Sequence, residues 1–274
     1  MAEESSWVPP ETDVTKANIA RVYDWWLGGS HNFPADQDLA RAIIAVSPVT
    51  RAGIRDNRAF LGRAVRYLAA EAGIRQFLDI GSGIPTAQNV HQIAQRTAPG
   101  SRVVYVDNDD IAVAHSKLIL DGDPDAVAVQ ADLRDPAAIL AHPETRRLVD
   151  FTRPVAVLLV SVLHFVPDGD DPEGVLAALR DALAPGSYLV VTHACRDADP
   201  GLSATVENVY NSRVDGRTTT RTRDQIARFF GDFRLVEPGL TWLREWRPDP
   251  GQTRAPGPSA GNWALAGVAR KPGR

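Results

Sequence analysis

Phe77-Leu78-Asp79-Ile80-Gly81-Ser82-Gly83-Ile84-Pro85-Thr86 combines a buried acid with a glycine-rich turn, a pairing suited to holding a polar ligand. Glycine lets the backbone approach a ligand closely, and a following helix would open with unsatisfied N–H groups. Dinucleotide-binding folds begin the same way, so the turn alone leaves the ligand open. Two later acids narrow the choice. Asp107 ends the apolar run Val103-Val104-Tyr105-Val106-Asp107, where a carboxylate can take both ribose hydroxyls. Asp132, in Gln130-Ala131-Asp132-Leu133, ends a third run, where an adenine amino group would sit. Two acids at consecutive strand ends cost too much to be core packing, so they mark a ligand. Pro85 stands at the third glycine position and has no N–H for a phosphate. A nucleoside-shaped ligand without phosphate is the simplest occupant.

These residues need a sheet to hold them. Apolar runs predict strands over Gln76–Ile80, Arg102–Asp107, Ala126–Gln130, Val155–Ser161 and Ser187–Thr192. Amphipathic stretches over Ala87–Thr97, Ile111–Leu120, Pro136–Ala141 and Pro172–Leu183 predict the helices between them. Such alternation implies right-handed crossovers and a doubly wound, mostly parallel α/β sheet covered on both faces. Arg234–Leu243 and Asn262–Ala269 bring the expected count to seven strands, joined by the Pro/Gly-rich 248–261 connection. Thr222 and Gln225 form a capping box for a short helix over Arg223–Phe230. Ahead of the sheet, residues 1–14 read as a flexible polar tail. Helices are expected from Thr15 to a Gly28-Gly29 stop, over Pro34–Ala45 and over Asn57–Ala72. Residues 15–72 are therefore expected to form a helical cap, and 73–274 the ligand-binding body.

Composition sets the outer limits. A length of 274 residues with 44% hydrophobic and 23% charged residues fits one substantial core. A formal net charge of −4 argues against a general nucleic-acid or anionic-membrane binder. Cys195 is the single cysteine, which excludes an intrachain disulfide or a cysteine-rich zinc site, and no metal is expected. The acidic N-terminus has no apolar targeting segment, and no run is long enough to span a bilayer, so a cytoplasmic protein is expected. It is expected as a monomer or homodimer.

With these motifs the chain resembles a class I S-adenosylmethionine-dependent methyltransferase. More narrowly, it resembles the actinobacterial S-adenosyl methyltransferase family first defined as a domain of unknown function. Ala20-Arg21-Val22-Tyr23-Asp24, Leu27-Gly28-Gly29, Asn57-Arg58-Ala59-Phe60-Leu61, the Gln76–Thr86 turn, Ala131–Pro136, Arg153–Pro167 and Glu237-Pro238-Gly239 carry the likeness over about 15–270. Pro85 and Trp25-Trp26 depart from it. The resemblance implies that Gly81, Ser82 and Gly83 line the methionine portion of S-adenosylmethionine, with Asp79 at its amino group. It places Asp107 on the ribose, Asn108 beside the adenine, and Asp132 with Leu133 on the adenine edge.

The reactive end would follow the fourth strand, at Ser161-Val162-Leu163-His164-Phe165, beside the sulfonium. His164 fits a general base, a substrate clamp or a structural histidine, and His193 ends the fifth strand toward the same cleft. The segment Tyr23–Asp36 fits either an edge helix using Trp25 and Trp26 as core or a lid over the ligand. As a lid it would offer Tyr23 for catalysis and Asn32, Phe33 and Asp36 to a substrate. Arg213, Arg217, Arg221 and Arg223 read as a solvated loop face or a clamp for an acidic acceptor. Three functions fit these residues. A small-molecule methyltransferase is expected first. The rival cleaves S-adenosylmethionine internally to 1-aminocyclopropane-1-carboxylate and methylthioadenosine. The third is a non-catalytic S-adenosylmethionine-binding protein.

Overall fold

The computed structural model describes residues 12–85, 89–214, 217–251 and 263–273. Strands β1 (Gln76–Ile80), β2 (Arg102–Asp107), β3 (Ala126–Gln130), β4 (Ala156–Val160) and β5 (Tyr188–Ala194) run parallel in the order β3-β2-β1-β4-β5. Three further strands, β6 (Arg234–Leu235), β7 (Thr241–Trp242) and β8 (Ala264–Arg270), finish one edge, with β8 antiparallel to β5. The doubly wound sheet is the expected fold, with eight strands instead of seven. The single strand expected over Arg234–Leu243 divides in two because Pro238 has no N–H for a ladder and Gly239 turns at φ 89°.

The helices are α1 (Ile19–Leu27), α2 (Pro34–Val46), α3 (Thr50–Ala70), α4 (Val90–Thr97), α5 (Asp110–Ile119), α6 (Pro136–Ala141), α7 (Pro143–Leu148), α8 (Pro172–Ala182), α9 (Pro200–Asn211) and α10 (Arg223–Arg228). Side chains alternate across each strand, so Leu78, Val104, Val157 and Val191 enter one apolar layer with Ile139, Leu176 and Ile226 of α6, α8 and α10. Phe77, Val103, Leu158 and Val190 enter the other, against α3 and α4. Burial on both faces is why these strands read as continuous apolar runs.

The order reverses between β1 and β4, which opens a crevice at the carboxyl ends of the strands. Over it stand α1 and α2, with a separate apolar cluster of Val22, Trp26, Leu39, Ala40, Ile43, Ile54 and Tyr210. Most of α3 packs into the sheet's own layer through Phe60, Leu61, Ala64 and Val65, while its first turns join α1 and α2 at the crevice through Ile54 and Asn57. The helix α9 falls in a stretch for which no helix was expected; Asp199 caps it and Pro200 opens it. Helix α3 starts at Thr50, seven residues before the expected Asn57. Ala87, the expected start of the helix after the glycine turn, lies outside the described residues, as do residues 1–11 of the expected tail, 252–261 of the connection and Asn262, the expected start of the last strand.

Candidate functional site

A cavity of ≈ 890 Å³ lies at the strand ends beneath α1. Among its lining residues are Asp79, Gly81, Ser82 and Gly83 after β1, and Asp107 and Asn108 after β2. Asp132 and Leu133 line it after β3, as do Ser161 and His164 after β4, and Tyr23 of α1. The structure thus brings together every residue expected to bind S-adenosylmethionine, along with both expected catalytic ones.

The turn after β1 is shaped by backbone. Gly81 adopts φ 71°, and a Cβ there would come within 2.3 Å of Val162 Cγ2, so glycine alone allows β1 and the β4 loop to meet. Its N–H donates to Val106 O at 2.7 Å, which ties the turn to β2. From the next turn residue pair, Gly83 N donates to Asp107 Oδ2 at 2.7 Å, and Asp109 N donates to Oδ1 at 2.9 Å. Asp107 is thereby held in the cavity lining, with acceptor capacity left on its carboxylate. Burial raises its pKa, opposed by those backbone N–H groups.

Asp79 has a different setting. It is buried, and its carboxyl accepts no hydrogen bond from the described residues. Burial pushes its pKa up to about 7, with Arg58 pulling down and Asp107 pushing up. A carboxyl in this state is matched to a ligand ammonium, which would supply the missing donor and charge. Asp132 instead is gripped by Arg134, with Nη2 at 2.5 Å and the backbone N–H at 2.8 Å, and its pKa is lowered chiefly by that side-chain contact.

At the β4 end Ser161 takes φ 60°, a left-handed backbone uncommon for a side-chain-bearing residue. Its N–H donates to Thr192 Oγ1 at 2.9 Å, Thr192 donates to Asn57 Oδ1 at 2.8 Å, and Asn57 Nδ2 donates to Tyr23 Oη at 2.9 Å. This relay fixes Tyr23 over the crevice and leaves its O–H proton available to the cavity. Burial raises the Tyr23 pKa, so it stays a phenol. His164 is 7% exposed and its Nδ1 has no hydrogen-bond partner among the described residues. Burial, with Arg221 adding, brings its pKa down to about 3. It is a neutral imidazole at pH 7 and a weak base, so the general-base role foreseen for it loses support.

Four expected substrate contacts do not line the cavity. Asp36 is fully buried, accepting from Asn18 N, Phe33 N and Arg21 Nε at 2.8, 2.8 and 2.9 Å. Asn32 donates to Asp24 Oδ2, which also accepts His31 N, and both bonds shape the loop between α1 and α2. A Cβ on Gly29 would lie 1.9 Å from Asp24 Oδ1, so the second glycine makes room for that carboxylate. Phe33 is the N-terminal flank of α2 beneath the Arg21 guanidinium. His193 is fully buried between Ala194 O and Arg221 Nη1, 2.8 Å from each. Burial foremost lowers its pKa well below the ordinary value.

Arg221 is no solvated arginine. It is 2% exposed, donating to Leu163 O, Val166 O and Asp168 Oδ1, and so secures the loop that carries His164. Arg213 and Arg223 are exposed, and exposed Arg217 lines the cavity. Sequence reasoning assigned no role to Asn57 or Arg58, although a polar pair within the buried stripe of α3 was a visible signal. It also missed two straps: Asn18 Nδ2 donates to Asp109 Oδ2 at 2.6 Å, and Thr12 Oγ1 to Asp110 Oδ2 at 2.7 Å. Both tie the residues before α1 to the β2 end.

A family profile described as S-adenosyl methyltransferase matches residues 5–272. A candidate methyltransferase of Thermobifida fusca is 44% identical with a TM-score of 0.92, covering 98% of this chain and 100% of its own. A DUF574 family protein of Streptomyces avermitilis is 41% identical with a TM-score of 0.90, covering 95% and 99%. No curated protein matches the sequence. No helix among the described residues is long and apolar enough to cross a membrane.

Proposed function

The chain belongs to the S-adenosyl methyltransferase family and uses S-adenosylmethionine, and from that premise we propose that it methylates a small molecule held beneath α1 and α2. The observation that carries this reading is the single cavity running from the strand-end acids to Tyr23 and His164 and on under α9. At ≈ 890 Å³ it stands near the top of the roughly 300–1,000 Å³ of ordinary ligand sites, which supports room for a cofactor and a second molecule. The roof of α1 and α2 favours a small acceptor over a macromolecular one.

S-adenosylmethionine supplies a methyl group on positively charged sulfur, which departs as a neutral thioether. Asp79 receives the methionyl ammonium, and the Gly81–Gly83 backbone borders the chain behind it. Asp107 takes the ribose hydroxyls with its remaining lone pairs, while Asn108, Asp132 and Leu133 border the adenine. Ser161, Tyr23 and His164 then stand beside the sulfonium. Tyr23 donates its O–H, and neutral His164 orients a partner by hydrogen bonding. The protein's contribution is alignment and exclusion of water, with little proton abstraction.

Internal cleavage would need a base at the methionyl Cα, and a histidine with a pKa of about 3 is poorly suited to it. Incubating the pure protein with S-adenosylmethionine, alone and with acceptors, tests the choice. S-adenosylhomocysteine formed only with an acceptor is expected, and Tyr23→Phe should slow it. Methylthioadenosine accumulating with an aminocyclopropane amino acid, acceptor absent, would overturn the proposal in favour of the lyase.

A further inference from the structure

Past the strand-end acids the cavity enters a chamber whose walls are Trp26 of α1, Ile43 of α2, Phe165 after β4, and Val206 and Tyr210 of α9. The aromatic rings meet edge to face. Tyr210 lies 6.4 Å from Trp26 at 77° and 6.1 Å from Phe165 at 65°, and Phe165 lies 4.2 Å from the His164 ring. Such a box leaves ring faces and edges for a flat guest. The acids Asp79, Asp107, Asp109 and Asp132 are at the strand ends, where Arg58, Arg21 and Arg134 act on Asp79, Asp109 and Asp132, whereas Asp199 and Arg217 of the lining are exposed. A charged guest buried among these rings would give up water without an ion partner.

Among the described residues, His164 Nδ1, Thr218 Oγ1 and Trp263 Nε1 are buried polar atoms of the lining without a hydrogen-bond partner. The backbone holds His164 and Thr218 near each other, because Thr219 N donates to His164 O at 2.8 Å. Native interiors seldom leave such atoms unpaired, and two of them on lining residues of one cavity, joined by that backbone bond, point to a ligand group that completes both.

We propose that this chamber takes a planar aromatic acceptor with one neutral hydroxyl or amino group, the ring set among Trp26, Phe165 and Tyr210 and the polar group at His164 Nδ1 and Thr218 Oγ1. It rests on the methyl-transfer reading, since it takes the chamber to be the acceptor's. In the transfer, a lone pair of the acceptor oxygen or nitrogen forms the bond to the methyl carbon. The methyl–sulfur bond breaks with its electrons going to sulfur, and the acceptor's proton leaves to water.

Calorimetry on the full-length protein saturated with S-adenosylhomocysteine tests this, with naphthol as probe and naphthalene, saturated decalol and naphthoate as comparators. Naphthol is expected to bind about three- to tenfold tighter than naphthalene or decalol, the worth of one hydrogen bond or one set of ring contacts. Naphthoate should bind more weakly still. Val206→Trp, which fills the chamber, should abolish naphthol binding and leave S-adenosylhomocysteine binding unchanged. Thr218→Val, nearly the same shape, should erase the preference for naphthol over naphthalene. Equal binding of naphthol and decalol, tighter binding of naphthoate, or indifference to both substitutions would overturn the proposal. A protein that takes up S-adenosylhomocysteine but not naphthol fails this inference alone. One that does not take up S-adenosylhomocysteine fails the underlying reading, and this one with it.

Discussion

The two halves of the cleft are built on opposite plans. The half proposed for the cofactor comes from the ends of β1, β2 and β3, where each candidate residue follows closely on an apolar strand. Its acids are positioned locally, Asp107 by the backbone N–H groups of Gly83 and Asp109 and Asp132 by Arg134 two residues on. The half proposed for the acceptor comes from α1, α2 and α9 and the loop after β4, elements far apart in sequence. Its polar side chains are positioned by other side chains, through the Ser161–Thr192–Asn57–Tyr23 relay and the Arg21–Asp36 pair. Sites fixed by a sheet tolerate change around them, whereas sites fixed by side-chain networks depend on every member.

Breaking that network should give the largest effect. In Asp36→Ala, Arg21 loses its buried partner and three donors lose their acceptor, which costs about 3–5 kcal/mol. Hydrogen exchange should then accelerate in α1 and α2 well before β1, β2 and β4. Uniform acceleration across cap and sheet would show that the two halves are one cooperative unit.

That contrast governs what was legible. The sheet, the glycine turn and the three acids were readable because continuous apolar runs and local turn chemistry are written in contiguous residues. Tyr23 and His164 were also placed correctly in the cleft. Asn32, Phe33 and Asp36 were misread because a polar loop beside a lid looks alike whether its groups face a ligand or each other. Only the tertiary bonds of Asp24 and Asp36 tell the two apart. Arg221 was hidden for the same reason, its partners Leu163, Val166 and His193 lying 28 to 58 residues away. The helix α9 was missed because its moderately polar sequence does not announce a buried stripe, and only Tyr210 is fully enclosed.

A smaller effect sharpens the cofactor half through pH. The Asp79 pKa, raised to about 7 by burial, means that the free protein is largely protonated there below that pH. A cationic ligand requires the carboxylate, so S-adenosylmethionine affinity should fall by up to about tenfold per pH unit below 7 and level off above it. Asp79→Asn should flatten the profile and weaken binding. The sign for stability runs the other way. Between the unfolded value near 3.8 and about 7 the native state holds the extra proton, so ligand-free stability falls as pH rises through that window. An unchanged pH profile in Asp79→Asn would remove Asp79 from the ligand's ammonium.

The most direct test of the account is a calorimetric titration of S-adenosylmethionine into wild-type protein and Asp107→Ala, with thermal unfolding measured beside it. Asp107 is held in the cavity lining by Gly83 and Asp109, with acceptor capacity left for the ribose hydroxyls. Loss of those contacts is worth on the order of 2–3 kcal/mol, so the account predicts roughly thirty- to a hundred-fold weaker binding by a protein that still folds. An unchanged Kd in a folded Asp107→Ala protein would contradict it.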